Sequence, residues 1–303
     1  MAQKILITGS NGLLGQKLVH LLHDQKEVEV IATSRGENRI ESVKGFVYEP
    51  LDITDAKAVA AVMEKHAPDV VIHTAAMTNV DQCEEDREGC VQLNIEATRN
   101  IVNACEAQGS FLVHLSTDFI FDGEDGPYNE EAKPNPVSFY GETKLESEGL
   151  VQQSKLRWAI VRTVLVFGIS EKMSRSNIIL WVKKSVEEGK TINVVNDQWR
   201  TPTLAEDLAK GCFLIATKKA EGIFNISGNE LLTPYDMAMQ TAEYFNLDKN
   251  YINETDGSKF QQKAKRPPKT GFDITKAQRE VGYRPRTFKE GIAMVEEQLG
   301  KLV

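Results

Sequence analysis

Apolar residues come in short runs separated by longer amphipathic stretches, and this alternation runs through the first half of the chain. The runs Lys4-Ile5-Leu6-Ile7, Val28 to Ala32, Val70-Val71-Ile72-His73, Phe111 to Ser116 and Trp158 to Val161 have the length of strands. Helical stretches lie between them, from Gly12 to His23, Asp55 to Lys65, Cys90 to Gln108 and Tyr140 to Gln152. Strands that alternate with helices build βαβ units with right-handed crossovers and a parallel sheet. Asp69-Val70-Val71-Ile72-His73 is apolar without strict alternation, which suits a strand covered by helices on both faces. The pattern predicts an α/β fold, a doubly wound parallel sheet of Rossmann type.

After Phe167 the rhythm changes. A helix is predicted from Ile178 to Glu188, a strand from Thr191 to Val195, a helix from Ala205 to Ala216 and a strand from Gly222 to Ile226, with a polar loop through Asp197-Gln198-Trp199-Arg200. From Thr233 onward the chain reads as helical, with Lys263, Lys265, Arg266 and Lys269 gathered around Pro267 and Pro268. The expected division assigns residues 1–168 and 197–226 to the Rossmann domain and residues 169–196 and 227–303 to a smaller substrate-binding lobe. That lobe would close over the C-terminal edge of the sheet.

The segment Thr8-Gly9-Ser10-Asn11-Gly12-Leu13-Leu14-Gly15 follows the first strand and opens the first helix. In this spacing Gly9 permits a tight turn, Gly12 lets the backbone approach a pyrophosphate, and Gly15 lets helix pack closely on strand. Unpaired N–H groups and the helix dipole then favour the phosphates. Gly9, Asn11, Gly12, Leu13, Leu14 and Gly15 are accordingly read as NAD(P)-binding. The second strand ends Ala32-Thr33-Ser34-Arg35, with no carboxylate before Glu37 to hold a ribose 2′-hydroxyl. Arg35 would pair with a 2′-phosphate, which favours NADPH over NADH; its other reading is a solvated loop cation.

Tyr140-Gly141-Glu142-Thr143-Lys144 sets a tyrosine and a lysine four residues apart on one face of a helix. A phenol titrates at about pH 10 and is a poor proton donor or acceptor near neutrality, and a neighbouring ammonium is expected to bring that value down.

With the glycine segment, the Tyr-x-x-x-Lys pair and Ser116-Thr117-Asp118-Phe119-Ile120-Phe121-Asp122-Gly123, the chain resembles the extended short-chain dehydrogenases/reductases. Within them it is most similar to the dTDP-4-dehydrorhamnose reductases, through Arg162-Thr163, Asp197-Gln198, Pro202-Thr203 and Arg266-Pro267. The resemblance implies that Thr117 hydrogen-bonds a substrate carbonyl and that Tyr140 gives a proton to its oxygen. It also implies that Lys144 holds the nicotinamide ribose and tunes Tyr140. Asp52 and Ile53 would flank the adenine, and Ala75, Ala76 and Met77 would pass the ribose and phosphate. Asn94 resembles the family's structural asparagine, with a helix-to-strand hydrogen-bond bridge as its bland role.

A 4,6-dehydratase would need Asp-Glu after the threonine, whereas Asp118 is followed here by Phe119. Ketone reduction needs only Thr117, Tyr140 and Lys144, so the leading expectation is a reductase of a nucleotide-linked 4-keto-6-deoxysugar. Its substrate-binding set is Asp118, Phe119, Asn177, Arg200 and Arg266, with the two arginines offered to the diphosphate as bidentate donors. Two departures stand out: Arg162-Thr163-Val164-Leu165 lacks the tryptophan of rhamnose reductases, and no glycine precedes Pro202-Thr203. Both resemble the regulatory β-subunit of methionine adenosyltransferase, a non-catalytic NADP-binding relative, and a sugar-nucleotide epimerase is a third option.

Composition narrows the partners. With 44 acidic and 36 basic residues the net charge is −8, which argues against binding nucleic acid or an acidic membrane by bulk charge. No run of about 18 apolar residues marks a membrane span, and the first apolar run is too short for a signal peptide. A cytoplasmic protein is expected, with a homodimer suggested by its relatives. Cys83, Cys90, Cys105 and Cys212 form no CxxC pair and the five histidines no ligand-like arrangement, so reduced thiols and no metal are expected.

Overall fold

The first apolar run becomes the middle of the sheet. The structure, a computed structural model, describes residues 2–172, 176–259 and 262–302. In chain order its strands are β1 (Gln3–Thr8), β2 (Val28–Ser34), β3 (Val47–Pro50), β4 (Val70–His73), β5 (Phe111–Thr117), β6 (Trp158–Thr163), β7 (Val166–Phe167), β8 (Ile192–Val195), β9 (Thr203–Leu204), β10 (Gly222–Asn225) and β11 (Ile252–Thr255). Seven of them form one sheet in the order β10-β6-β5-β4-β1-β2-β3. Every pairing in it is parallel. The chain winds outward from β1 to β3, then returns to β4 and winds the other way. The loops after β1 and β4 therefore diverge, and a crevice opens at the carboxyl ends of these strands.

Helices cover both faces. α1 (Leu13–His23) contacts α8 (Ala205–Lys218) on one side, and α2 (Ala56–His66) contacts α5 (Ala97–Gln108) on the other. Ile5 and Ile7 of β1 join the first apolar cluster and Leu6 the second, so successive residues of one strand feed opposite layers. Their complete burial explains why β1 is an apolar run rather than an alternating one.

The helix read from Cys90 to Gln108 is composite. Short helices α3 (Val80–Glu85) and α4 (Arg87–Val91) lead into a π-turn over Gln92–Glu96, which continues into α5. Apolar periodicity does not report a single π-turn. β3 also went unpredicted: it is an edge strand with Val47 exposed, and it ends in a proline, so it shows no buried run.

α6 (Phe139–Gln152) starts at the side-chain cap of Ser138 and packs on β5 and β6. Arg162 of β6 meets Glu148 of α6 in a bidentate pair at 3.0 and 2.8 Å, both side chains being buried. It pins α6 to the sheet.

α7 (Ile178–Glu187) and α9 (Pro234–Tyr244) pack on each other and on the parallel pair β8-β11 around Val182, Ile192, Val194, Ala238 and Ile252. β7 and β9 form a second parallel pair. The region beyond Thr233 is less helical than the sequence suggests. β11 interrupts it, residues 262–274 run without regular helix through Pro267-Pro268, and helices resume at α10 (Thr275–Glu280) and α11 (Phe288–Leu302). No helix among the described residues is long and apolar enough to cross a membrane.

Candidate active site

The glycine segment folds into a turn from β1 into α1. Gly9 has φ +70°, and a Cβ there would come within 2.9 Å of the Ala75 backbone. A Cβ on Gly15 would overlap the Gly9 carbonyl oxygen and stand 2.6 Å from Ser10 Cα. The N-cap Gly12 gives the first turn of α1 no side-chain acceptor, and a Cβ there would meet only the Gly9 carbonyl oxygen, at 3.3 Å. The uncapped, uncrowded amides suit an anion of pyrophosphate type. Leu13 and Leu14 are half-buried, and Leu14 packs on the core.

Asn11 reaches away from this turn: its Nδ2 donates to Glu37 O and its Oδ1 accepts from Arg39 N, each at 2.9 Å. It thereby fixes the loop after β2, where Arg35 is exposed. Asp52 accepts from the Thr54 amide and hydroxyl, which lowers its pKa, while Ile53 is buried. Ala75, Ala76 and Met77 form the half-buried loop after β4. That loop is held by Asn94, which accepts from Met77 N at 2.8 Å and donates to Met77 O and to Thr143 Oγ1 of α6. Asn94 thus bridges the π-turn in which it sits to the loop after β4 and to α6, rather than to a strand as expected.

Tyr140 and Lys144 are both buried on α6. Burial pushes the Tyr140 phenol up, outweighing the opposing effect of the Thr117 hydroxyl. This corrects the expectation of a depressed phenol: in this dry setting Tyr140 keeps its proton through neutral pH. Lys144 moves the other way, burial lowering it from 10.5 to about 8. Gly141 fits between them because a Cβ there would overlap the Phe119 carbonyl oxygen. Tyr140 also meets the Phe119 ring edge-on at 5.9 Å and packs against the buried thiols of Cys83 and Cys90.

Thr117 and Asp118 end β5. The Thr117 hydroxyl donates to Asp118 Oδ1 at 3.1 Å, and the other Asp118 oxygen takes the Thr270 hydroxyl and lies 3.7 Å from Arg200 Nε. Desolvation raises the Asp118 pKa against these partners. Thr270 escaped the sequence reading, since a lone threonine after a Pro-Pro pair carries no motif.

The remaining expected ligands are engaged with the protein itself. Arg200 is buried, and its guanidinium donates to the carbonyls of Trp199, Pro267 and Pro268. Arg266 is bidentate on Asp81, at 3.1 and 2.7 Å. Both fasten residues 262–270 across the end of the sheet. Asn177 caps α7 through Leu180 N and donates to Gly168 O. Its surroundings form a mostly apolar cleft of about 540 Å³ that includes Leu165, Trp181 and Asn193. Trp181 is 40% exposed there, four residues along the helix from Asn177, and no motif announces it.

The profile of the RmlD substrate binding domain matches residues 3–300. The chain belongs to that family. Among relatives of the RmlD type it is 32% identical over 296 residues to methionine adenosyltransferase 2 subunit beta of Pongo abelii, covering 96% of this chain and 86% of that one. A dTDP-4-dehydrorhamnose reductase of Clostridium acetobutylicum superposes with a TM-score of 0.86 at 30% identity, covering 98% of this chain and all of the other. The dTDP-4-dehydrorhamnose reductase of Bacillus anthracis, solved in complex with NADP, gives 0.85 at 26% identity, again over 98% and 100% of the two chains. Among the described residues no cluster of three or more His, Cys, Asp or Glu could hold a metal ion, and all four cysteines are free and buried.

One property of this RmlD-type site concerns stability. Burial, helped by the charge of Lys144, depresses His73 of β4 from 6.5 to about 3. The unfolded chain takes up that proton near the ordinary value, so between pH 6.5 and about 3 the folded state binds fewer protons. The contribution of His73 is intact above pH 6.5 and is lost progressively as pH falls through this window. The urea midpoint is expected to fall on acidification from neutrality, and less steeply in His73→Asn, which cannot titrate. Equal slopes in the two proteins would contradict it.

Proposed function

We propose that the protein is an NADPH-dependent oxidoreductase that reduces the ketone of a nucleotide-linked 4-keto-6-deoxysugar. The observation that supports this reading is that the buried Tyr140 phenol hydrogen-bonds the Thr117 hydroxyl at the carboxyl end of β5, with Lys144 buried one helical turn along α6. The glycine turn and the α1 N-terminus would hold the pyrophosphate, with the loop Ala75-Ala76-Met77 alongside. Arg35, exposed where an NAD-preferring fold would place a carboxylate, supports a 2′-phosphate and hence NADPH. A nicotinamide bound in this crevice supplies the hydride for the carbonyl carbon.

The chain's own residues handle the oxygen. Tyr140, which retains its proton at neutral pH, gives it to the oxygen as negative charge develops there. The Thr117 hydroxyl would turn its proton from Asp118 to the carbonyl oxygen and orient it, and the Lys144 ammonium would stabilise the phenolate left behind. Asp118, Thr270 and Arg200 hold the Thr117 end of β5 in place. The cleft around Asn177, Leu165 and Trp181 has the size and apolar lining for a nucleoside and sugar.

The test is NADPH oxidation, followed by absorbance, with dTDP-4-keto-6-deoxysugar supplied. Turnover is expected with NADPH in preference to NADH. Tight NADPH binding without oxidation by any nucleotide-linked 4-ketosugar would defeat the proposal. A second reading, a regulatory subunit resembling methionine adenosyltransferase β, is favoured by the 32% identity to that protein and by Leu165 standing where reductases carry tryptophan. Stoichiometric co-elution with a catalytic methionine adenosyltransferase subunit, alongside absent turnover, would establish it.

A further inference from the structure

Among the described residues every other arginine donates from its guanidinium to an oxygen of the protein, whereas Arg35 and Arg39 do not. Both are exposed, and both stand on the loop after β2. Arg35 is felt as a charge by Asp52, and Arg39 by the Tyr48 phenol.

The backbone under Arg39 is fixed although its side chain is free. Its amide donates to Asn11 Oδ1 at 2.9 Å, and the next residue, Ile40, is buried in the core. Asn11, in the glycine turn, also donates to Glu37 O at 2.9 Å, and Tyr48 donates to Gly36 O at 2.8 Å. The far side of the loop is held from a distant part of the chain. Glu171 lies on the segment that leads from β7 to α7. One of its carboxylate oxygens accepts from Glu41 N at 2.7 Å and Ser42 N at 3.2 Å, and the other accepts from Ser42 Oγ at 2.6 Å. The Glu171 backbone is itself gripped by the buried Gln16 of α1, whose amide accepts from Glu171 N at 2.7 Å and donates to Glu171 O at 3.0 Å. Gln16 donates as well to Asn11 O at 3.2 Å. These bonds close a circuit that runs from Asn11 through Gln16, Glu171 and Ser42 and returns along the chain through Arg39.

We propose that Glu171 is a positioning residue for cofactor choice: by holding residues 41–42 it fixes the backbone that presents Arg39, which joins Arg35 on the 2′-phosphate of NADPH. A guanidinium gains most from a phosphate when its backbone is already ordered, because less entropy is lost on binding. NADH carries a hydroxyl in place of that phosphate and makes no use of the two cations. Loosening the circuit therefore weakens NADPH and spares NADH.

Dissociation constants for NADPH and NADH are measured on the full-length protein by nicotinamide fluorescence. Glu171→Gln turns an amide donor toward the groups that donate to the carboxylate. It is expected to raise the NADPH constant about tenfold and to leave the NADH constant within about twofold. Charge alone gives the opposite sign, since removing a negative group near a phosphate tightens its binding. Ser42→Ala keeps the carboxylate and shifts NADPH in the same direction by less. Arg39→Ala shows the same selective loss, and adding Glu171→Gln to it weakens NADPH little further, because both changes act on one contact. An unchanged NADPH-to-NADH ratio in Glu171→Gln, an equal shift of both cofactors, or full additivity with Arg39→Ala overturns the proposal. If Glu171→Gln fails to fold, an unchanged ratio in Ser42→Ala overturns it instead. The proposal rests on reading the crevice as an NADPH site, and Arg35→Ala separates the two. A selective NADPH loss there with none in Glu171→Gln sinks the proposal alone, whereas a wild type that binds both cofactors equally sinks both.

Discussion

Under the proposed function, Tyr140→Phe is expected to slow ketone reduction by about 10²- to 10⁴-fold while NADPH affinity stays close to wild type. The substitution removes one oxygen from a ring that packs on Phe119, Cys83 and Cys90, so the apolar contacts and the helix survive. What disappears is the proton for the incipient alkoxide: the Thr117 hydroxyl can hydrogen-bond that oxygen but, as an alcohol, is too weak an acid to give its proton up. Steady-state NADPH oxidation with a nucleotide-linked 4-ketosugar, beside a fluorescence titration of NADPH binding, checks both halves. A loss below about tenfold with binding intact would show that the proton comes from elsewhere, because a general acid contributes more than that.

The second large effect concerns stability. Arg162→Met should destabilise the fold by about 3–5 kcal/mol, because it strands the buried Glu148 carboxylate without its partner. The guanidinium also donates to Glu130 O and lies over the Phe121 ring, so its loss loosens the segment that follows β5. Replacing both partners, as in Arg162→Met with Glu148→Leu, should recover most of the loss, since no unpaired charge then remains. Urea unfolding of the two singles and the double closes the cycle. A single variant within about 1 kcal/mol of wild type would mean that water reaches Glu148, because an exposed pair contributes no more than that.

The layered sheet was legible because parallel strands buried on both faces must be written as apolar runs, and β1, β4 and β5 are. Gly9, Gly15, Tyr140 and Lys144 were legible for a related reason: a turn without room for Cβ, and two side chains one helical turn apart, constrain residue type at fixed spacing. What stayed hidden depends on contacts between distant segments. Asp118 meets Thr270, Arg266 meets Asp81, and His114 meets Lys144 across 152, 185 and 30 positions, with no periodicity to mark any of them. Arg200 and Arg266 drew notice as cations for a diphosphate, yet spacing cannot tell a guanidinium offered to a ligand from one fastening a loop. The phenol was misjudged for another reason: sequence supplies the neighbouring charge but not the depth of burial, and burial dominates.

The π-turn at Gln92–Glu96 has a consequence for how this helix tolerates change. One surplus residue is stored in the wide turn, so an otherwise continuous helix is out of phase with itself on either side. The residues before it are aimed at Tyr140 and those after it at the sheet, and Asn94 lies at the changeover. Deleting the surplus residue would close the wide turn to regular helix and leave both halves set as they are, whereas a deletion within α5 would turn one half against the other by about 100°, a regular helix having 3.6 residues per turn. The wide turn thus absorbs a change in length that the flanking turns cannot.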